Sequence, residues 1–304
     1  MEVVRSQTIG YCYGVANTLK MAEKCIEKGK AEHIPYYCIG ELIHNKDVVR
    51  SVEEKGLKII HVPGDARPCC EGDETRGDVS GENDRKLALI RAHGIPEYLR
   101  RDFLLAGFEL LDATCVNIKY SISEIKKASS AGRHVVIIGV KNHAETLCLM
   151  GSEGKEAYLV SSREDLDGLF SEKKEDTPLT VITQTTFLES EYNAISAELK
   201  KHYQNIVFAN RLCPDCIHRK RNVLELASVC KAIVVVGGRM SENTKTLAKY
   251  AEDAGAMVFR IENARDFTPD SDEEIRRYEK VGVCSGTSTP MDIIDEVCAH
   301  LEAL

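Results

Sequence analysis

Three cysteines occupy comparable places in the chain, and the thiolate of cysteine is the usual ligand of iron–sulfur clusters. Cys12 lies in the segment GYCYGV, Cys115 lies in DATC, and Cys213 follows NRL. An amphipathic helical pattern begins just after each of them, and the N-terminal end of a helix favours a thiolate. We expect these thiols to bind one [4Fe-4S] cluster, whose fourth iron stays open to a substrate in the way that a catalytic zinc ion keeps an open position.

The surroundings of these cysteines repeat along the sequence. Three apolar strands end at glycines that follow one another at intervals of 99 residues: Gly40, Gly139 and Gly238. The residue four positions beyond each glycine is polar: His44, His143 and Glu242. The three cysteines precede the same glycines by 28, 24 and 25 residues. Because ligands of open α/β sheets bind beyond the carboxyl ends of the strands, the pattern predicts three α/β units whose strand ends surround one pocket.

A second strand in each unit also ends in small or polar residues. These residues are His93 in LIRAHG, Thr185 in VITQTT, and Thr287 and Ser288 in VCSGTS. Strands and amphipathic helices alternate, which is typical of an α/β protein with mainly parallel sheets. The predicted units span 13–115, 116–213 and 214–290, and the terminal segments 1–12 and 291–304 are expected to pack on them. The clearest helical patterns cover 15–28, 118–130, 189–202, 219–231 and 243–254.

The composition limits the class of protein. The chain has 304 residues, of which 40 are Lys or Arg and 48 are Asp or Glu, and its formal charge is −8. This charge argues against a nucleic-acid-binding or membrane-surface protein. No apolar run reaches the ~18 residues of a membrane span, and the N-terminal segment has no signal-peptide pattern. We therefore expect a cytoplasmic protein whose 12 cysteines do not form disulfides by default, and we expect Cys25, Cys38 and Cys230 to be buried.

One segment departs from the repeat. Residues 65–86 contain almost no apolar side chain, and they are predicted to form a surface loop or a disordered insertion in the first unit. Its Cys69 and Cys70 could bind a metal ion, form a vicinal disulfide or remain two exposed thiols. The sequence leaves these three possibilities open.

Eight short motifs give the sequence its resemblance to a known family. In chain order they are GYCYGV, GELIHN, RAHG, DATC, IIGVKNHAE, TQTT, VVGGRMSEN and CSGTSTP. They extend from Gly10 to Pro290 and follow the order of the motifs of the LytB/IspH family, which the chain therefore resembles over nearly its whole length. The resemblance implies a trefoil of three α/β units around a central [4Fe-4S] cluster, held by the three cysteines that the repeat singles out.

The activity implied by the resemblance is reduction of 4-hydroxy-3-methylbut-2-enyl diphosphate, the last step of the non-mevalonate isoprenoid pathway. The allylic alcohol binds the open iron, two electrons arrive from a donor such as ferredoxin or flavodoxin, and water leaves, which yields isopentenyl and dimethylallyl diphosphates. By match to the family motifs, Glu145 is the acid, and Thr185 hydrogen-bonds the reacting oxygen and Glu145. The implied ligands of the diphosphate are His44, His93, His143, Ser241, Asn243 and Ser288.

Several residues near the implied site differ from the family pattern. They are Ile9, Val116, Ala144, Cys216 and Glu242. Glu242 replaces a serine. Its carboxylate either faces the expected diphosphate site, which would weaken binding of an anion, or points away and leaves Ser241 and Asn243 to bind. Cys216 replaces a threonine; it is either a ligand of the open iron or a replacement of similar size. A divergent enzyme of this family that reduces or dehydrates a different small molecule is therefore the alternative function.

Two further classes of protein use some of the same residues. A non-catalytic iron–sulfur sensor would keep the three cysteines but would not need Glu145, Thr185 or the histidines. A structural zinc protein could use four cysteines: Cys69, Cys70, Cys213 and Cys216. Metal analysis separates these classes, because the zinc protein would contain no iron.

Overall fold

The computed structural model describes residues 1–62, 85–152 and 157–304. The strands of this part of the chain are β1 (Glu2–Arg5), β2 (Tyr36–Ile39), β3 (Lys58–Ile60), β4 (Lys86–Ile90), β5 (Phe108–Asp112), β6 (His134–Ile138), β7 (Tyr158–Val160), β8 (Leu179–Thr183), β9 (Ile206–Phe208), β10 (Ala232–Val236), β11 (Met257–Ile261) and β12 (Lys280–Ser285). The α-helices are α1 (Tyr13–Glu32), α2 (Lys46–Glu54), α3 (Glu97–Leu105), α4 (Val116–Ser130), α5 (Ala144–Met150), α6 (Leu166–Glu172), α7 (Glu189–His202), α8 (Pro214–Val229), α9 (Glu242–Asp253), α10 (Pro269–Ile275) and α11 (Met291–Ala303).

The strands form three parallel sheets of four strands, and all three sheets have the same strand order. The orders are β3-β2-β4-β5, β7-β6-β8-β9 and β11-β10-β12-β1. In the last sheet the fourth place is taken by β1, whose residues pair in parallel with β12. The repeat in the sequence is thus a repeat of one sheet topology, and the predicted α/β class with three repeated units is confirmed.

The described chain divides into two compact units. The first unit comprises Met1–Ala16, Ile43–Val48 and Cys213–Leu304, and the second comprises Asn17–Leu42 and Val49–Leu212. The first unit contains the sheet that β1 completes, and the second contains the other two sheets. The boundaries of the three predicted domains stay a prediction.

The core of the first unit lies on both faces of its sheet. Strand β10 is buried at every position. Val234 packs in a cluster with Ile294 of α11, and the neighbouring Val235 packs in a second cluster with Leu247 of α9. Helices cover both faces, which is why this strand reads as a continuous apolar run rather than as an alternating pattern.

The sheet of β6 and β8 in the second unit is built in the same way. Val136 packs in a cluster with Leu199 of α7, and Ile137 packs in another cluster with Ile125 of α4. The helical pattern at 189–202 coincides with α7, whereas α8 begins at Pro214, five residues before the predicted start at 219. Proline at the first helical position needs no backbone N–H, so the helix can begin there.

Two predicted features concern membranes and the polar insertion. Among the described residues, no helix combines the length and the apolar character that crossing a membrane requires. Most of the predicted insertion at 65–86, including Cys69 and Cys70, lies outside the described residues.

Candidate active site

The three predicted cluster cysteines each lie immediately before a helix. Cys12 precedes α1, Cys115 is the N-cap residue of α4, and Cys213 is the N-cap residue of α8. All three side chains are half-buried. The backbone N–H of Val15, in the first turn of α1, donates to the Sγ of Cys12 at 3.4 Å. Each sulfur therefore lies at the positive end of a helix, which favours a thiolate ligand.

Cys216 lies in the first turn of α8 and is hydrogen-bonded to Cys213. This hydrogen bond is the main cause that lowers the pKa of Cys213 to about 6; burial opposes it, and the backbone N–H groups of Cys216 and Asp215 add to it. The same bond, followed by burial, raises the pKa of Cys216. Cys216 is thus the donor and Cys213 the acceptor of this hydrogen bond, which favours the thiolate form of Cys213.

Asn243 connects Cys216 to the loop that follows β12. Its side-chain Oδ1 accepts a hydrogen bond from the backbone N–H of Thr287 at 3.1 Å, which fixes the orientation of the amide because a backbone N–H can only donate. The Nδ2 then donates to the Sγ of Cys216 at 3.2 Å. The carbonyl of Thr287 accepts from the N–H of Cys12 at 3.1 Å. Hydrogen bonds thus join Cys12 to Cys216 through Thr287 and Asn243.

A buried arginine holds the loop before α1 against α8. Arg219 is 2% exposed and donates to the carbonyl oxygens of Gly10 at 2.8 Å and Ser285 at 3.0 Å. Its Nε also donates to the carboxylate of Asp215 at 2.7 Å. Gly10 has a φ of +81°, and a Cβ there would lie 2.8 Å from the Sδ of Met291. The positive φ favours glycine at this position, whereas the exposed and flexible side chain of Met291 could move away from a Cβ.

Four of the predicted diphosphate ligands lie in the first unit. The carbonyl of His44 accepts from the hydroxyl of Ser288 at 3.3 Å, and a Cβ on Gly238 would lie only 2.1 Å from that carbonyl oxygen. Ser241 caps α9 by accepting from a backbone N–H of its first turn at 3.3 Å. Ser241, Asn243 and Ser288 are each 4% exposed. The loops after β10 and β12 thus hold these polar groups in a nearly buried position.

Glu242, one of the five residues that differ from the family pattern, forms an ion pair within α9. Its Oε1 lies 2.7 Å from the Nζ of Lys245, and the side chain of Glu242 is 19% exposed. At this degree of burial the pairing matters, because an unpaired carboxylate would be costly. The negative charge of Glu242 is therefore balanced by a residue of its own helix.

The predicted acid and its partner lie together in the second unit. Glu145 is in the first turn of α5 and is 1% exposed. Its Oε1 accepts from the backbone N–H of Thr185 at 2.7 Å, and its Oε2 accepts from the hydroxyl of Thr185 at 2.8 Å. Thr185 follows β8 and is itself buried. The structure therefore brings together Glu145, the predicted acid, and Thr185, the residue predicted to hydrogen-bond it.

His93 and His143 also meet in the second unit. Their rings pack edge to face with centroids 5.5 Å apart. His143 is the N-cap residue of α5, and its Nδ1 accepts from the backbone N–H of Glu145 at 3.2 Å. Since a backbone N–H only donates, this contact requires an unprotonated Nδ1, so the neutral ring carries its proton on Nε2 as a donor. Cys115 donates its N–H to the carbonyl of Ala92, next to His93, at 2.9 Å.

Sequence motifs missed two residues that position the site. Gln184 accepts through Oε1 from the N–H of Val140 at 2.8 Å and from the hydroxyl of Thr146 at 3.2 Å, and its Nε2 donates to Thr186 at 2.9 Å. It thereby ties the loop after β6 to the loop after β8. In the first unit, Arg219 likewise joins the loop before α1 to the end of β12 through the carbonyls of Gly10 and Ser285. Each residue has one signal in the sequence. Gln184 lies inside the TQTT motif, and Arg219 follows an aspartate by four residues, the spacing of an ion pair on one face of a helix.

The sheets are parallel, and the polar residues of the candidate site lie beyond the carboxyl ends of the strands. The chain is therefore an α/β protein whose site is built from the loops at the strand ends. The family model described as LytB protein matches residues 3–302. The chain belongs to the LytB family.

Relatives and solved structures agree with this assignment. The chain is 30% identical over 313 residues to a 4-hydroxy-3-methylbut-2-enyl diphosphate reductase of Opitutus terrae, and the match covers 100% of both chains. It is 32% identical to the protein of the same name from Treponema denticola, over 98% of both chains. The structure of the E-1-hydroxy-2-methyl-but-2-enyl-4-diphosphate reductase from Plasmodium falciparum matches with a TM-score of 0.83 at 20% identity, over 100% of this chain and 87% of that one. The chain thus has the fold of that structure.

Proposed function

We propose that this chain reduces 4-hydroxy-3-methylbut-2-enyl diphosphate to isopentenyl and dimethylallyl diphosphates. Relatives that match the whole chain carry the name of this reductase. The observation that carries the proposal is the pair of Glu145 and Thr185, a buried carboxylate that accepts both hydrogen bonds of one threonine. Loss of an allylic hydroxyl requires a proton, and this pair can hold a proton and pass it on.

The cysteines fit the [4Fe-4S] cluster of the proposed reaction. Cys12, Cys115 and Cys213 are thiol donors, each half-buried at the start of a helix, and no disulfide joins the ten cysteines in the described part of the chain. We assign these three as the ligands. When bound, the cluster supplies electrons and a Lewis-acidic iron for the hydroxyl group of the substrate.

The proposed diphosphate ligands act as hydrogen-bond donors. The Oγ of Ser241 accepts the capping hydrogen bond of α9, so its own hydrogen can be donated to a phosphate oxygen. Asn243 uses one hydrogen of Nδ2 for Cys216 and has a second one to donate. His143 presents the proton on Nε2, and we assign His44, His93 and Ser288 to the same task. Bonds of this kind to an anion are among the stronger hydrogen bonds in proteins.

In this proposal, Glu145 and Thr185 deliver the proton that the reaction needs. When the Oε2 of Glu145 carries the proton, the 2.8 Å hydrogen bond to the Oγ1 of Thr185 is reversed: Thr185 accepts the proton from Glu145 and gives its own hydrogen to the departing hydroxyl group. Both side chains are buried, so bulk water does not compete for this proton. The departing group leaves as water, and Thr185 keeps the carboxyl group and the oxygen in line.

A different substrate is the second candidate, and the pair of Glu242 and Lys245 bears on it. A bare carboxylate at this position would suit a cationic or neutral substrate better than a diphosphate. The contact of 2.7 Å with Lys245 balances the charge, so Glu242 provides no reason to expect a cationic ligand. The ion pair of Glu242 and Lys245 therefore supports a substrate that carries a diphosphate group.

The test is an anaerobic assay of the iron–sulfur-loaded chain with a one-electron chemical reductant and 4-hydroxy-3-methylbut-2-enyl diphosphate. We expect both isoprenoid diphosphates as products, and we expect none from the same preparation of Glu145→Gln. If the wild-type chain carries the cluster and forms neither product, the substrate assignment is wrong.

The electron donor and the compartment complete the proposal. We propose ferredoxin or flavodoxin as the donor, because the reaction consumes two electrons that an external protein can supply. A cytoplasmic location is in keeping with ten cysteines that form no disulfide in the described part of the chain.

A further inference from the structure

Cys216 contacts a proposed cluster ligand, Cys213, and the reductase mechanism gives it no role. It lies in the sequence Cys213-Pro-Asp-Cys216, with Cys213 as the N-cap of α8 and Pro214 in its first turn. The two thiols are joined by a hydrogen bond. In an α-helix, Cα atoms three residues apart lie about 5 Å from each other, and disulfides join Cα atoms about 4.4–6.8 Å apart. A bridge between the two sulfurs therefore needs side-chain rotation and little movement of α8.

We propose that Cys213 and Cys216 form a reversible dithiol–disulfide couple in the chain that lacks its cluster, with a small-molecule disulfide as the oxidant. The thiolate of Cys213 attacks one sulfur of the oxidant, which forms a mixed disulfide and releases one thiolate. The thiol of Cys216 loses its proton and attacks the sulfur of Cys213, which closes the internal disulfide and releases the second thiolate. Two electrons pass from the pair to the oxidant, and the two released thiolates are protonated, one by the proton from Cys216 and the other by solvent.

The surroundings select this pair over other cysteines of the first unit. Burial raises the pKa of Cys284 to about 12, which removes it as a nucleophile. Cys298 and Cys230 are also buried, and burial raises their pKa. Cys213 and Cys216 are half-buried and lie in the first turn of a helix, where an incoming disulfide can reach them.

A disulfide at this position would act on two parts of the proposed site. Cys213 could no longer bind iron, so the oxidised chain could not be loaded with a cluster. Cys216 would also become a poorer acceptor for the Nδ2 of Asn243, which now donates to it at 3.2 Å. The couple would therefore protect a cluster ligand from irreversible oxidation while the site is empty of metal. The effect on loading rests on the proposed function, whereas the disulfide itself does not.

The experiment treats the full-length chain, stripped of metal by a chelator, with oxidised glutathione under air-free conditions. Intact mass and peptide mapping then follow the wild type and the variants Cys216→Thr and Cys216→Ser. The wild type should lose two hydrogens in mass and give a peptide that links Cys213 to Cys216. Both variants lack the resolving thiol, so they should retain one glutathione on Cys213. A dithiol reductant should reverse both products.

Two results would overturn the proposal. One is a wild-type chain that keeps glutathione on Cys213 without closing the bridge, and the other is a bridge from Cys213 to a different cysteine. Iron content after reconstitution tests the consequence separately: the oxidised wild type should bind iron only after reduction. Equal iron binding before and after reduction would contradict the assignment of Cys213 as a cluster ligand, while the disulfide would stand.

Discussion

Glu145 accepts both hydrogen bonds that Thr185 can donate, one from its backbone N–H at 2.7 Å and one from its hydroxyl at 2.8 Å. The carboxyl group lies at the start of α5 and is almost fully buried. A threonine hydroxyl has a single hydrogen, and in this contact that hydrogen points to Glu145. The lone pairs of the hydroxyl remain to accept a bond from a substrate. The two side chains therefore act as one proton-transfer unit.

Replacing the acid should stop the chemistry and leave binding intact. Glu145→Gln keeps the shape of the side chain and one acceptor oxygen, but it cannot supply an acidic proton. We expect kcat to fall by about 100- to 10,000-fold, the range for loss of a general acid. Binding of inorganic pyrophosphate, measured by its effect on the cluster spectrum, should be unchanged. A kcat close to that of the wild type would contradict the assignment of Glu145 as the acid.

Thr185 offers a matched pair of variants. Thr185→Ser keeps the hydroxyl and should retain most of the turnover. Thr185→Val has nearly the same volume and lacks the hydroxyl, so it should lower kcat by about 100-fold or more. It also leaves the Oε2 of Glu145 without this donor, which should cost about 1–3 kcal/mol of the free energy of unfolding. Single-turnover kinetics and urea unfolding separate the two effects, and equal turnover of the two variants would exclude a role for the hydroxyl.

The architecture could be predicted from the sequence because the repeat consists of short segments, each with an apolar strand, a glycine and a polar residue. Gly40 and Gly139 each follow a buried strand directly, and Gly238 follows the end of β10 by two residues. The strand–glycine–polar pattern therefore identified equivalent loops in all three sheets. It also placed Cys115 and Cys213 before helices, where the structure has them. Apolar runs and helix starts depend on neighbours in sequence, which is why they could be recognised.

The contacts that position the site depend on residues far apart in sequence. Arg219 donates to the carbonyl of Gly10, and Gln184 accepts from the N–H of Val140. Backbone carbonyls and N–H groups carry no residue type, so no motif could indicate that these partners meet. The ion pair of Glu242 and Lys245 could have been predicted, since the two residues are one helical turn apart in α9.

Arg219 should be essential for stability. Its guanidinium is buried and joins Asp215 to the carbonyls of Gly10 and Ser285. Arg219→Met leaves two buried carbonyl oxygens without their donor, which costs about 1–3 kcal/mol each, whereas the carboxylate of Asp215 is 30% exposed and can be solvated. We expect a loss of that size in the free energy of unfolding, measured by urea titration of the metal-free chain.

The control for Arg219 is an arginine of the same helix. Arg221 lies 3.9 Å from Glu225, and both side chains are mostly exposed. Exposed pairs of this kind contribute about 0–1 kcal/mol. Arg221→Met should therefore change the free energy of unfolding by less than about 1 kcal/mol. Similar losses for the two variants would show that burial of Arg219 is not what makes it important.

Asp112 should make the loop before Cys115 sensitive to acid. Burial raises the pKa of its carboxyl group, but the hydrogen bonds from Thr114 and then from Arg100 outweigh burial and lower the pKa below 3.8. A lowered pKa means that the stabilisation is present above the ordinary pKa and is lost as the pH falls through the lowered one. Asp112→Asn should cost about 1–3 kcal/mol at neutral pH, and the difference from the wild type should shrink as the pH falls below 3.8.

The measurement for Asp112 is urea unfolding of both chains from neutral to acidic pH. Asp102→Asn is the control, because Asp102 is exposed on the neighbouring helix α3. This control should follow the wild type at every pH. A gap between wild type and Asp112→Asn that stays constant into acid would mean that the charge of Asp112 does not contribute.

Lys245 should decide whether Glu242 harms diphosphate binding. Glu242→Gln leaves the positive charge of Lys245 without its partner, so pyrophosphate should bind at least as tightly as it does to the wild type. Lys245→Met leaves the carboxylate of Glu242 uncompensated next to Ser241 and Asn243, and it should weaken binding by about tenfold, which corresponds to about 1.4 kcal/mol. The double variant removes both charges and should bind nearly as well as the wild type. Such a coupling is the signature of a compensating pair. If instead the single lysine variant and the double variant bind equally weakly, Lys245 contacts the anion itself, and the compensation argument for Glu242 fails.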